Sequence, residues 1–159
     1  MPRFKFRLEA ALRLAERALE EERRRLAEEC EALRLKQIAC TQQEIAWRLA
    51  LDGQREAGIH EPQSLGRWQE YAVLQLKRLR GFQHEVVLQE ERVEQQRLQV
   101  LEVHQEREKL KKLKGKQEAA FWIKEQRREQ QVLDEAGQVI FNRLQQEQQE
   151  IGAWEGTRS

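Results

Sequence analysis

The sequence predicts an all-α protein in which two long helices form an antiparallel coiled-coil hairpin, the second helix being longer and overhanging. Charged residues make up 36% of the 159 residues, a bias typical of long helices. Residues 65–121 contain no proline, and their apolar residues recur at alternating spacings of three and four. A segment with several glycines and a proline separates this run from an earlier one of similar pattern. A helix with one apolar stripe must bury it against a partner, and the nearest partner is the other run.

The first helix is predicted over about residues 6–51. Its apolar residues follow the coiled-coil spacing until Glu22 interrupts them, and the spacing resumes at Leu26. Cys30 and Cys40 are about 15 Å apart along a helix, which is too far for a disulfide between them. We interpret both as small core residues in a reducing compartment, with an intermolecular disulfide as the alternative.

The connection between the helices is predicted over residues 52–64, because glycine and proline concentrate there. Ser64 is a candidate N-cap for the second helix, which we expect over about residues 65–150. With the turn centred near Ala57, facing residues should have numbers that sum to about 115. The tail, residues 151–159, is expected to fray, and residues 1–159 are predicted to form one elongated domain.

The second helix carries two interleaved apolar series with a spacing of seven or its multiples. Beyond about Lys109 it should have no partner from the first helix, and a basic band of five lysines begins there. Residues 121–123 are large and apolar, so we expect them to contact another protein. The two series are Leu65, Ala72, Leu79, Val86, Val93 and Val100, and Trp68, Phe82, Val103 and Leu110.

Nothing in the sequence indicates catalysis. His60, His84 and His104 are scattered, so no metal site is predicted, and no glycine-rich segment has a phosphate-binding spacing. No cofactor is therefore expected. A net charge of +1 with interleaved signs argues against nucleic-acid binding. No apolar run is long enough for a membrane span, so the chain is predicted to be soluble and intracellular. Because no catalytic group of residues is recognisable, the chain is predicted not to be an enzyme.

Three segments, in this order, resemble the flagellar export protein FliJ family. The first is residues 4–8, FKFRL, followed by leucines at 12 and 14. The second is residues 67–71, RWQEY, which resembles the opening of the family's second helix. The third begins at residues 116–120, KQEAA, and continues through Glu125, Arg127, Gln130 and Asp134 to Glu135. The resemblance covers nearly the whole chain.

The resemblance implies a cytoplasmic component of the bacterial flagellar type III export apparatus, peripheral at the inner membrane through that apparatus. It implies a stalk-like coiled coil that is monomeric when free and stimulates the hexameric export ATPase (FliI). It also implies contacts with the export gate protein (FlhA) and with export chaperones. Two alternatives stay open: the equivalent stalk of a virulence-type III system, and a homodimeric coiled-coil scaffold.

The same resemblance assigns candidate residues to two partners. Those for the ATPase ring are Lys112, Lys116, Gln117, Trp122, Arg127, Gln131, Asp134 and Glu135. Those for the export gate are Tyr71, Leu74, Arg78, Gly81 and Glu85.

Overall fold

The computed structural model describes residues 2–158 and is 94% helical, with no strand among those residues. Helix α1 spans Glu9–His60 (52 residues), a single 3₁₀ turn spans Pro62–Ser64, and helix α2 spans Leu65–Gly156 (92 residues). The two α-helices pack against each other, and the second is the longer. The prediction of an all-α fold with two long packed helices is therefore confirmed.

Helix α1 begins three residues later and ends nine residues later than the sequence predicts. Gly53 and Gly58 lie inside it, although each glycine costs a helix about 1 kcal/mol relative to alanine. Packing explains the first of them. A Cβ on residue 53 would come within 2.6 Å of Cη2 of the Trp68 indole, so only glycine lets α2 approach α1 here. Glycine at this position permits a close approach of two helices and does not break α1.

Because α1 extends to His60, the turn is shorter than the predicted connection over residues 52–64. The Glu61 amide donates to the Ala57 carbonyl at 2.9 Å and ends α1, and Pro62 begins the 3₁₀ turn. The amide and the hydroxyl of Ser64 both donate to the Glu61 carbonyl at 3.0 Å. The Ser64 hydroxyl therefore closes the 3₁₀ turn, which differs from its predicted role as an N-cap of α2. Helix α2 continues to Gly156, so it includes most of the tail that was expected to fray.

Contacts group the chain into two units, and the prediction of one domain over the whole chain stays a prediction. One unit, Ala10–Lys109, is a helical hairpin and holds most of the buried apolar side chains. Two glutamines, Gln75 and Gln89, are as buried as those apolar groups, at 3% and 1% exposure. The buried apolar residues of the hairpin are Leu12, Leu19, Ala50, Ala57, Ala72, Leu79 and Val93.

Three hydrogen-bonded pairs define how α1 and α2 align within the hairpin. They join Gln43 to Gln75, Glu29 to Gln89 and Glu22 to Gln96. The residue numbers of each pair sum to 118 and not to the predicted value of about 115. The turn lies later in the chain than expected, and this accounts for the shift. The antiparallel arrangement itself follows from the constant sum.

The other unit comprises Met1–Glu9 and Leu110–Ser159. Its residues 2–7, which we call the N-terminal strap, are not helical and lie against α2. Phe6 is buried and Phe4 half-buried, whereas the basic residues Arg3, Lys5 and Arg7 are exposed. This alternation is that of an extended chain, in which successive side chains point to opposite sides. The strap therefore buries its phenylalanines, with Phe4 against Phe121 of α2, and leaves its charges in solvent.

The cysteines only partly match their interpretation as core residues. Both are free thiols, but Cys30 is exposed and Cys40 is half-buried. The expectation of a core position is therefore wrong for Cys30. The half-buried residues in this part of α1 include Glu22, Leu26, Glu29 and Leu33, in unbroken coiled-coil spacing. The seam position therefore belongs to Glu29, and the prediction assigned it to the neighbouring, less polar Cys30.

Candidate protein-binding surfaces

All eight residues predicted to bind the ATPase ring lie on α2 in the unit that contains the strap, and all are exposed. Most of them recur at spacings of three or four, so Lys112, Lys116, Arg127 and Gln131 follow one side of the helix. Trp122 is 47% exposed, a large fraction for an indole. Asp134 accepts a hydrogen bond from Gln130 at 3.1 Å, one helical turn earlier. The surface combines charged groups with an accessible aromatic ring.

Phe121 differs from what the sequence indicated. We expected residues 121–123 to have no intramolecular partner, but the ring of Phe4 lies 5.6 Å from that of Phe121. Phe121 is half-buried as a result, so the expectation is wrong for this residue. The rings of Phe121 and Trp122 meet edge to face at 5.3 Å. Trp122 and Ile123, by contrast, keep about half of their surface exposed.

Beyond the strap contacts, α2 presents many exposed apolar side chains that the predicted site omitted. Pro2 lines an open cavity together with Val132 and Leu133, and from residue 134 to residue 158 every side chain is exposed. Trp154, at 75% exposure, is the most accessible of these apolar side chains. Their recurrence was visible in the sequence but weak, because glutamines and glutamates interrupt it. The exposed apolar residues are Val132, Leu133, Val139, Ile140, Phe141, Leu144, Ile151 and Trp154.

The strap adds positive charge to the same unit. Arg3, Lys5 and Arg7 belong to the unit that also contains four of the five lysines of the basic band. One of those lysines, Lys114, forms an ion pair with Glu9, in which Nζ lies 2.9 Å from Oε2. The remaining three, Lys111, Lys112 and Lys116, are exposed, as are the three strap residues. We use the name C-terminal surface for Arg3, Lys5, Arg7, the eight predicted ring-binding residues and the exposed apolar residues of 132–154.

The five residues predicted to meet the export gate lie in the hairpin unit and are all exposed. Their spacings of three and four place them on one stripe of α2, and we call this set the turn-proximal stripe. Tyr71 is 47% exposed and its ring meets Trp68 edge to face at 6.0 Å. Leu74 is 44% exposed. Leu88, three residues beyond Glu85 and 42% exposed, extends the stripe and was missed.

Features of a chemical site are few in the part of the chain that the structure describes. No group of three or more His, Cys, Asp or Glu side chains that could hold a metal ion occurs among residues 2–158. Within the same range, no helix is both long enough and apolar enough to cross a bilayer. The pKa of Glu31 is lowered by its hydrogen bonds to Arg34, an exposed neighbour on α1. That pair is an ordinary helix-surface contact and lies outside both binding surfaces.

The geometry thus defines a class, that of helical hairpin proteins with exposed apolar and charged side chains along the second helix. Residues 4–146 match the family described as flagellar FliJ protein, and the chain belongs to that family. It is therefore a component of the flagellar type III export apparatus, and the family is a structural part of that apparatus. Neither a curated protein nor a solved structure matches the chain.

Proposed function

We propose that the chain is the stalk component of the export apparatus and that its C-terminal surface binds the hexameric export ATPase, FliI. One observation carries this proposal. Residues 134–158 are exposed throughout and include the apolar side chains of Ile140, Phe141, Leu144 and Trp154. Apolar groups at such density on an exposed helix favour a protein partner. The basic residues of the strap and of the lysine band favour a partner with acidic loops.

Binding would stimulate hydrolysis without any catalytic group in this chain. A ligand that binds the assembled ring more tightly than free subunits shifts the assembly equilibrium by mass action. An asymmetric rod inside a symmetric ring would also make the six subunits inequivalent. Both effects act on the partner, and hydrolysis stays in the active sites of the ATPase.

The turn-proximal stripe is the proposed contact for the export gate protein, FlhA. Tyr71, Leu74 and Leu88 supply apolar area, and Arg78 and Glu85 supply charges at its edge. A chain with one surface for the ATPase and another for the gate would link the two in the cytoplasm, peripheral to the inner membrane. Contacts with export chaperones belong to the same proposal.

The rate of ATP hydrolysis by the cognate export ATPase tests the proposal. We expect the rate per subunit to rise when this protein is added, most strongly at ATPase concentrations where the ring is only partly assembled. At concentrations that saturate ring assembly the increase should shrink, because mass action has less to shift. A rate that is unchanged at every ratio of the two proteins would remove the proposal.

A further inference from the structure

We infer that the three pairs that join Gln75, Gln89 and Gln96 of α2 to Gln43, Glu29 and Glu22 of α1, which we call the glutamine ladder, lock the axial register of α1 against α2. In two rungs a glutamine of α2 donates to α1. Gln89 Nε2 donates to the backbone carbonyl and the carboxylate of Glu29, and Gln96 Nε2 donates likewise to Glu22. The inference concerns the hairpin alone and does not depend on the proposed function.

The third rung runs in the opposite direction. Gln43 Nε2 on α1 donates to the backbone carbonyl of Gln75 at 3.1 Å and to its side-chain oxygen at 2.6 Å. Each rung therefore uses both a backbone and a side-chain acceptor on the facing helix. An amide held in this way has little freedom to follow a sliding partner, since both acceptors must move with it.

Burial makes the rungs specific for one register of the two helices. Gln89 and Gln75 are almost fully buried, and a buried amide that loses its partners cannot replace them with water. Both residues, with Gln96, stand in the heptad series of Trp68 and Phe82, where the other members are apolar. A polar residue at a single seam position is a known means of specifying the register of a coiled coil.

The heptad repeat of the apolar residues does not by itself distinguish registers that differ by seven residues. The short turn and the contact of Trp68 with Gly53 favour the observed register, and the ladder adds to them. A slide in one direction would place Gln89 opposite Lys36, whose side chain offers donors but no acceptor for the Gln89 amide nitrogen. The same slide would place Gln75 opposite Ala50 and Phe82 opposite a polar side chain. Two rungs would lose their side-chain hydrogen bond between amide and acceptor, and a phenyl ring would meet a polar group.

The opposite slide is equally unfavourable. It would place Gln75 opposite Lys36 and Gln96 opposite Ala15, and Phe82 would then face Glu29. In the observed register the position opposite Lys36 belongs to Phe82, and the Lys36 ammonium donates to Gln89 Oε1 at 3.3 Å. The order of Gln and Phe along α2 thus matches the order of partners along α1 only in the register that the hairpin adopts.

A distance measurement between spin labels tests the inference. The full chain carries Cys30→Ser and Cys40→Ala, and labels replace the exposed Arg48 and Arg97, which belong to different helices and lie far apart along the hairpin. A slide of one heptad changes their axial separation by about 10 Å. The ladder variant combines Gln75→Leu, Gln89→Leu and Gln96→Leu. The matched control combines Gln83→Leu, Gln95→Leu and Gln99→Leu at exposed positions of α2.

We expect one distance in the unsubstituted ladder and in the control, and a second distance, displaced by about 10 Å, in the ladder variant. Circular dichroism of that variant should report a folded, helical chain. One unchanged distance in the ladder variant would overturn the inference. Should the triple leucine variant fail to fold, the combination of Gln75→Asn, Gln89→Asn and Gln96→Asn provides the test, because each shortened amide is one methylene further from its partner on α1. A single unchanged distance in that combination would also overturn the inference.

Discussion

Gly53 of α1 lies directly against the indole of Trp68 on α2, with no room for a side chain between them. We predict that Gly53→Ala lowers the free energy of unfolding by about 1–2 kcal/mol, because displacing the ring costs more than the gain in helix propensity. Thermal or chemical denaturation followed by circular dichroism measures the change.

Gly81→Ala is the matched control for that substitution. Gly81 also lies within a helix, but a Cβ there would meet nothing within 4 Å. Only the propensity term should act, so the free energy of unfolding should rise by about 1 kcal/mol. Equal effects of the two substitutions would contradict the assignment of Gly53 as a packing residue.

The attachment of the N-terminal strap should depend on Phe6, its one buried side chain. Burial of a phenyl ring contributes about 2 kcal/mol, so Phe6→Ala should raise the fraction of detached strap roughly 30-fold. Trypsin cleavage after Lys5 and Arg7 should accelerate to a similar extent. Leu14→Ala, which truncates a side chain that is 65% exposed, should leave the rate unchanged.

The Glu31 carboxylate should titrate below the ordinary pKa of glutamate. Arg34 donates to it from Nε at 2.9 Å and from Nη2 at 2.6 Å, and these hydrogen bonds lower the pKa of Glu31. Arg34→Gln should raise that pKa toward its ordinary value, whereas the distant Arg13→Gln should not. Carbon-detected NMR titration measures both.

The lowered pKa also determines the sign of the pH effect. The pair stabilises the folded chain above the ordinary pKa of glutamate, and this contribution is lost as the pH falls through the folded-state pKa of Glu31. Both side chains are exposed, so the contribution should be small. A large acid-induced loss of stability that disappears in Arg34→Gln would contradict this view.

The two proposed binding surfaces should be separable by mutation. Tyr71→Ala combined with Leu74→Ala should weaken binding to the gate protein about 10-fold or more and leave stimulation of the ATPase unchanged. Trp122→Ala should have the converse effects. Each variant serves as the folding control of the other, and circular dichroism should give both the helicity of the parent chain. Loss of both activities in either variant would contradict separate surfaces.

Much of the fold could be predicted from the sequence because the heptad pattern reports helices and their pairing directly. The glutamine ladder could have been predicted as well. Gln75, Gln89 and Gln96 complete the series of Trp68 and Phe82 at intervals of seven. A search that considers only apolar residues at heptad positions omits these polar seam residues. The turn was placed too early because glycine propensity disfavours helix, and a sequence does not reveal which side chain of another helix will approach Gly53.

The candidate site could be predicted less completely. The second helical run is longer than the first, and this difference predicted that the site lies on the second helix and is exposed. The strap did not, because its alternation of Phe4 and Phe6 with basic residues is too short to distinguish a covered segment from a free one. Which ring would cover Phe121 depends on a contact with Phe4, far away in the sequence, and local patterns carry no information about such contacts.

The account depends most on the claim that the exposed C-terminal part of α2 meets the ATPase ring. A photo-crosslinking residue at position 140, where Ile140 is 61% exposed, tests it directly against one at position 87, where Val87 is 50% exposed. With the cognate export ATPase present, we predict an adduct with the ATPase from position 140 and none from position 87. An adduct from position 87 and none from position 140 would contradict the account.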